Sequence, residues 1–132
     1  MAHTDTGTGH NPKDPSRRRV AFVLHMAKDW DPKHGGDLIF MNPPTFIAAS
    51  FNAMTFFPVS KAAWHLVSPV AVSAPPSSKR LAFSGWWMTQ EVGKATAIEN
   101  NHDDSDEARS FIKHVDGSTG QLLKSRRSIQ PD

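Results

Sequence analysis

Cysteine and tyrosine are both absent from this chain of 132 residues. Without cysteine there can be no disulfide, thiolate nucleophile, iron–sulfur cluster or zinc site with sulfur ligands. Without tyrosine no phenol can serve as an acid or a base. Long apolar runs are missing too, and the polar residues after Met1 do not form a secretory leader. We therefore expect a cytoplasmic protein that has no membrane partner.

The charge balance is close to even, with 15 basic and 13 acidic residues and a net charge of +2. This excess is too small to indicate a nucleic-acid partner. Apolar residues make up 38% of the chain, which is enough for one modest core and therefore one small domain. Seven histidines in so short a chain are many, and they are the first indication of chemistry.

Short apolar runs recur through the first 90 residues, separated by proline and glycine. These runs are 20–26, 37–41, 45–50, 53–59, 63–70 and 79–88. A spacing of roughly ten residues with such punctuation is typical of an all-β sandwich or barrel. Helical periodicity is not evident before residue 88, so the pattern predicts an all-β fold.

The composition changes after residue 90. The segment 97–107 is acidic and polar, whereas 120–132 is basic and polar. Between them, RSFIKHV at 109–115 predicts a short strand or a single helical turn. Because so few apolar residues are present, we expect a folded unit over 1–90 and a polar, flexible C-terminal tail over 91–132.

Four residues form a candidate site. His3 and Asp5 are two positions apart, so on an extended chain their side chains lie on the same side. His65 stands inside the apolar run 62–67, and Arg80 opens the last run. Two histidines and one carboxylate form a facial triad that suits Fe(II) and leaves positions open. An arginine on a neighbouring strand can bind a carboxylate through two hydrogen bonds.

The order of these motifs resembles the catalytic domain of the Fe(II)- and 2-oxoglutarate-dependent oxygenases of the prolyl-hydroxylase type. The resemblance covers roughly residues 3–88 and is greatest to the branch of ribosomal-protein prolyl hydroxylases. The stretches that carry it are HTD at 3–5, RRRVAFVLHMAKDWDPKHGGDLIF at 17–40, SFNAMTFFPVS at 50–60, WHLVSPV at 64–70 and KRLAFSGWW at 79–87. The fold it implies is a double-stranded β-helix, or jelly-roll.

The resemblance also implies roles for the four residues. His3, Asp5 and His65 would be the iron ligands and catalytic residues, and Arg80 would bind the 5-carboxylate of 2-oxoglutarate. The implied cofactors are Fe(II), 2-oxoglutarate and ascorbate. The implied reaction hydroxylates a C–H bond, in this branch that of a prolyl residue in a protein or peptide, while 2-oxoglutarate loses carbon dioxide to become succinate.

The chain departs from the family pattern at several positions. Ala82 stands where a serine is common, and His25 replaces a tyrosine of the strand before the tryptophan turn. The HxD motif begins at residue 3, so the N-terminal part of the jelly-roll is expected to be incomplete. The resemblance further implies that Asn52 and Thr55 line the site. Exposed sheet edges left by missing strands would favour self-association.

Two other interpretations remain open. The chain is alternatively a truncated, non-catalytic jelly-roll that acts as a metal-binding or interaction module. The short N-terminus and Ala82 favour that interpretation, whereas the retained triad and Arg80 favour the enzyme. A metal enzyme of the cupin type that does not use 2-oxoglutarate is the third interpretation. Arg80 argues against it, because a buried arginine without an anionic partner is costly.

The remaining histidines and the tryptophans have simpler expected roles. We expect the histidines at positions 10, 34, 102 and 114 to be exposed to solvent. The tryptophans at positions 30, 64, 86 and 87 are expected to pack in the core, because large aromatic side chains gain most from burial. His25 either faces the site or fills the core.

Overall fold

The computed structural model describes residues 1–6, 16–90, 112–124 and 126–127. These ranges contain eight strands and a short 3-10 turn at Pro32–His34. The strands are β1 (Ser16–His25), β2 (Leu38–Met41), β3 (Pro44–Ile47), β4 (Ala53–Pro58), β5 (His65–Val67), β6 (Ala82–Gln90), β7 (Lys113–Asp116) and β8 (Arg126–Arg127). In the part of the chain so described, no helix is long and apolar enough to cross a membrane.

The strands form two antiparallel four-stranded sheets. One sheet has the order β6-β1-β4-β7, and the other has the order β5-β2-β3-β8. The chain passes from β1 in the first sheet to β2 and β3 in the second, returns with β4, crosses again to β5 and comes back with β6. This alternation between two facing sheets is the jelly-roll arrangement, and it confirms the all-β fold class predicted from the sequence.

The core lies between the two sheets and follows the alternation of side chains along each strand. In β4, the residues Ala53, Thr55 and Phe57 are buried, while the residues between them are half-buried on the other face. The rings of Phe57 and Phe40 meet edge to face at 5.0 Å and join the two sheets. The buried apolar cluster consists of Ala21, Leu38, Phe40, Ile47 and Phe57.

Strand β7 lies beyond residue 90, where the sequence predicts a flexible tail. It pairs with β4 from Ala53↔Asp116 to Phe56↔Lys113 and forms the edge of the first sheet. The short strand predicted near 109–115 is therefore present. This part of the predicted tail belongs to the folded sheet.

Two histidines predicted to be exposed are buried instead. His34 is 7% exposed at the end of the 3-10 turn, and His114 is 6% exposed on β7. His114 points inward because alternate residues of a strand face the same side, and its neighbours in β7 face outward or lie half-buried. The predictions for His10 and His102 concern positions outside the described residues.

The tryptophans also differ from the prediction. Trp30 is half-buried, and its indole Nε1 donates a hydrogen bond of 2.9 Å to the Gly35 carbonyl. In contrast, Trp64, Trp86 and Trp87 are exposed. The last two lie on β6, which among the described residues is an edge strand with a neighbouring strand on one side only. Their burial was overestimated because an edge position leaves much of a large side chain in solvent.

Candidate metal centre

His3, Asp5 and His65 converge in the structure. Each offers one ligand atom, and the three atoms all lie within 4.8 Å of one another. Asp5 Oδ1 is 3.6 Å from His3 Nε2, and Asp5 Oδ2 is 3.9 Å from His65 Nε2. Both distances are too long for a hydrogen bond, so the groups face a common point without bonding directly to each other.

The backbone fixes the N-terminal motif to β5. The His3 amide donates to the His65 carbonyl and the His65 amide donates to the His3 carbonyl, both at 2.9 Å. This antiparallel bridge joins His3 to the first residue of β5 and pairs the two histidines directly. Residue 3 is therefore anchored by two hydrogen bonds, although it lies almost at the start of the chain. The centroids of the His3 and His65 rings are 4.5 Å apart.

Both histidines direct Nε2 toward Asp5. His65 Nδ1 lies 2.9 Å from the Ala63 carbonyl oxygen, and His3 Nδ1 lies 3.4 Å from that of Met1. A carbonyl oxygen can only accept a hydrogen bond, so each Nδ1 carries the proton in this arrangement. The lone pair of each imidazole is then on Nε2, which is the state required of a metal ligand.

The surroundings differ across the site. His65 is buried and its ring packs on Phe57 at 4.8 Å and on Phe40 at 5.6 Å. Asp5 is largely buried, with a side-chain exposure of 10%, whereas that of His3 is 58%. The site is therefore apolar and buried around His65, and it is open to solvent at His3. Two imidazoles and one carboxylate are the donor set that suits Fe(II) with positions left for other ligands, so the residues present fit that ion.

Arg80 lies beside the last turn before β2. Its Nε donates a hydrogen bond of 3.0 Å to the Gly36 carbonyl, and its side chain passes directly over Gly36. A Cβ added to Gly36 would lie 2.9 Å from Arg80 Cγ. Burial lowers the pKa of Arg80, and the nearby Asp37 carboxylate opposes that shift. Glycine at position 36 thus leaves the space that this arginine occupies.

One nitrogen of the Arg80 guanidinium, Nη2, is buried and has no hydrogen-bond partner among the described residues. Buried polar groups are almost always paired, and an unpaired charged donor is especially costly. A carboxylate would satisfy this donor with a charge-assisted hydrogen bond. The environment of Arg80 therefore fits the far carboxylate of a dicarboxylic acid such as 2-oxoglutarate.

A second cluster of polar residues is buried between the sheets. His25 and Thr55 are fully buried, and His114 is nearly so. The Thr55 hydroxyl oxygen lies 2.9 Å from His114 Nδ1 and 3.3 Å from His25 Nε2, so it bridges the two imidazoles. Burial, then the charge of Arg80, then His114 lower the pKa of His25 to about 4. Burial also lowers the pKa of His114.

This cluster lies along the same interior as the metal centre. Phe57 packs on His65, and Thr55 is the next inward-facing residue of β4, about 7 Å further along the strand. Thr55 and Asn52 were both expected to line the site. Thr55 is buried between the sheets, whereas Asn52 is exposed in the turn before β4. His25 is fully buried, in line with the expectation that it fills the core. No pattern in the sequence indicates that His114 is buried, because it stands in a strand of only four residues.

Comparison with known proteins agrees with this geometry. A family model described as the 2OG-Fe(II) oxygenase superfamily matches residues 1–88. Prolyl 3-hydroxylase OGFOD1 of Mus musculus is 33% identical over 79 residues, which covers 53% of this chain and 14% of that relative. The chain thus spans a small part of the relative's length. Because the family model covers well over half of the residues, the chain belongs to the 2OG-Fe(II) oxygenase superfamily.

Proposed function

We propose that this chain is a dioxygenase that hydroxylates a prolyl residue of a protein or peptide. The balanced reaction takes the substrate C–H bond, molecular oxygen and 2-oxoglutarate to the C–OH product, succinate and carbon dioxide. One oxygen atom enters the hydroxyl group and the other enters succinate. Ferrous iron, when bound, supplies the activation of oxygen. The protein binds and orients the reactants and keeps bulk water away.

The observation that carries this proposal is the convergence of His3, Asp5 and His65. Two imidazole Nε2 atoms and one carboxylate face a common point, and the Nδ1–H groups are held by backbone carbonyls. Hydrogen bonds to the ring nitrogen that does not face the metal fix the orientation and the tautomer of a ligand histidine. We therefore assign iron binding to these three residues.

Arg80 is assigned to the far carboxylate of 2-oxoglutarate. Its Nε is held by Gly36, so the guanidinium has a fixed direction, and its buried Nη2 remains available as a donor. Phe40 and Phe57 pack on His65 and give the interior an apolar wall. That wall limits the access of water, which strengthens the electrostatic interaction of Arg80 with an anion.

The choice of a prolyl substrate rests on sequence similarity. It comes from the sequence resemblance to prolyl hydroxylases and from the relative OGFOD1, whose name specifies prolyl 3-hydroxylation. Ascorbate, which the resemblance implies, belongs in the assay as a reductant that maintains ferrous iron.

The test of the metal and cosubstrate assignment is an anaerobic titration of the purified chain with Fe(II) and 2-oxoglutarate. We expect a visible charge-transfer band that requires both additions, because a keto acid bound to Fe(II) absorbs in this range. His65→Ala should abolish the band. The exposed Trp64, which is adjacent in sequence but faces the other side, provides the control variant Trp64→Ala, which should keep it. A folded wild-type chain that gives no band contradicts the assignment and favours the non-catalytic interpretation.

The substrate is tested separately under air. The loaded protein is incubated with a panel of proline-containing peptides, and mass spectrometry detects the gain of one oxygen atom while succinate is quantified. Replacing proline by alanine in a modified peptide should remove the modification. Succinate produced without any modified peptide would keep the oxygenase assignment and contradict the prolyl substrate.

A further inference from the structure

Two buried side-chain nitrogens, one on His25 and one on Arg80, have no partners among the described residues. They are His25 Nδ1 and Arg80 Nη2. The register of β1 and β6 pairs His25 with Ala82, two residues beyond Arg80, so the backbone brings the two side chains to the same end of the sheet. The Arg80 charge acts on the His25 imidazole. A carboxylate has two acceptor oxygens, enough for one hydrogen bond from each of these nitrogens.

The direction of the hydrogen bonds around His25 decides whether Nδ1 can donate. Thr55 has one hydroxyl proton and lies between His25 Nε2 and His114 Nδ1. If the hydroxyl donates to His25 Nε2, that nitrogen is the acceptor and the proton of neutral His25 is on Nδ1. His114 Nδ1–H then donates to the Thr55 oxygen. In the opposite direction, His25 Nδ1 would carry a lone pair and repel an anion.

We propose that neutral His25 donates an Nδ1–H hydrogen bond to the carboxylate that Arg80 binds, and that Thr55 and His114 hold His25 in the tautomer that permits it. The identity of this carboxylate, the far end of 2-oxoglutarate, rests on the proposed function. His25 is a binding residue in this scheme. Thr55 and His114 are positioning residues, because they act through His25 and do not touch the ligand.

The electrostatic environment keeps His25 neutral. Arg80, on the segment before β6, and His114, on β7, both face it and disfavour a second positive charge, and Thr55 on β4 contributes no charge. Asp37 is the acid that faces Arg80. A neutral donor adds a hydrogen bond to the anion without placing another cation beside the guanidinium, which an imidazolium would do.

The tautomer is tested by nitrogen-15 NMR of the imidazole rings in the full chain at pH 7.5. The His25 signals should show a protonated Nδ1 and a bare Nε2. Thr55→Val, which keeps the shape of the side chain and removes the hydroxyl, should shift them toward the other tautomer or a mixture. Thr55→Ser should restore the wild-type pattern. A protonated Nε2 on His25 in the wild-type chain overturns the proposal.

The consequence for binding is measured from the charge-transfer band as the affinity of the Fe(II)-loaded chain for 2-oxoglutarate. Thr55→Val should weaken it about tenfold, in line with the loss of one hydrogen bond to a charged group. Thr45→Val, the same change on β3 in the other sheet, is the control and should leave it unchanged. Equal affinity in Thr55→Val overturns this inference but keeps the proposed function, whereas failure of the wild-type chain to bind overturns both.

Discussion

His3 and His65 are paired directly, since the amide of each donates to the carbonyl of the other at 2.9 Å. The same two residues present their Nε2 atoms to Asp5. Backbone pairing and ligand geometry therefore depend on each other, because a metal ion bound by these side chains would also hold the two paired backbone segments together. This coupling explains how a motif at residue 3 can belong to a defined site.

Metal binding should accordingly slow amide hydrogen exchange at His3 and His65. An ion at a hundred times its dissociation constant stabilises the bound state by about 2.7 kcal/mol, so local opening of the bridge should become about a hundredfold rarer. Hydrogen exchange with and without Zn(II), a diamagnetic substitute for iron, measures this effect. Asp5→Asn should reduce it strongly. Exchange at the two amides that is unaffected by Zn(II) would show that the ion does not use these residues.

The stability of the chain should fall as the pH decreases from about 6.5 toward 4. In the folded state the pKa of His25 is lowered from 6.5 to about 4, so in this range the unfolded chain binds more protons than the folded chain. Protonation then favours unfolding, by up to about 3 kcal/mol at the acid end, while above pH 6.5 this contribution no longer changes.

Urea denaturation at a series of pH values checks this effect in wild type and in His25→Gln. The variant should have a flatter profile between pH 6.5 and 4, with a residual slope from His114, whose pKa is also lowered. Comparison at pH 8 isolates the cost of the substitution itself. Parallel profiles would show that His25 is not the buried titrating group.

The sequence predicted the strands of the first 90 residues well because each has a run of apolar residues bounded by proline or glycine. The predicted run 53–59 corresponds to β4 at Ala53–Pro58, and 37–41 corresponds to β2 at Leu38–Met41. The candidate ligands could be chosen for a similar reason, since HxD on an extended chain and a histidine in an apolar strand are local patterns. The structure then brings these residues together through the bridge at His3.

The buried histidine cluster could not be predicted in the same way. His114 stands in β7, a strand of four residues with only one apolar residue, Val115, and this pattern is too short to indicate burial. Its burial depends on pairing with β4, about 60 residues earlier in the chain, and on the Thr55 hydroxyl that satisfies its nitrogen. Such long-range pairing is a property of the sheet order and leaves no periodic signal in the sequence.

Phe57 should link the stability of the core to the metal centre. It is 2% exposed and packs on both Phe40 and His65. Phe57→Ala removes these contacts and leaves a cavity, so the free energy of unfolding should fall by about 3–5 kcal/mol. Fe(II) affinity should fall as well, because His65 loses the ring that orients it.

Urea denaturation and metal titration measure the two effects of this substitution. Phe51→Ala is the matched control, since Phe51 is 55% exposed and its removal should change stability by less than about 0.5 kcal/mol. A Phe57→Ala variant that is destabilised but binds Fe(II) normally would show that the Phe57 ring is not needed to orient His65.

Alanine substitutions at Gly36 and Gly120 distinguish the effect of backbone strain from the effect of displacing the Arg80 side chain. Both have positive φ, 75° and 69°, so alanine at either position should cost about 1–2 kcal/mol of stability. At Gly36 the new Cβ would also lie 2.9 Å from Arg80 Cγ, whereas at Gly120 it would meet nothing within 4 Å. Gly36→Ala should therefore weaken 2-oxoglutarate binding, measured by the charge-transfer band, while Gly120→Ala should lose only stability. Equal affinities in the two variants would mean that Arg80 does not hold the cosubstrate, because displacement of its side chain would then have no effect on binding.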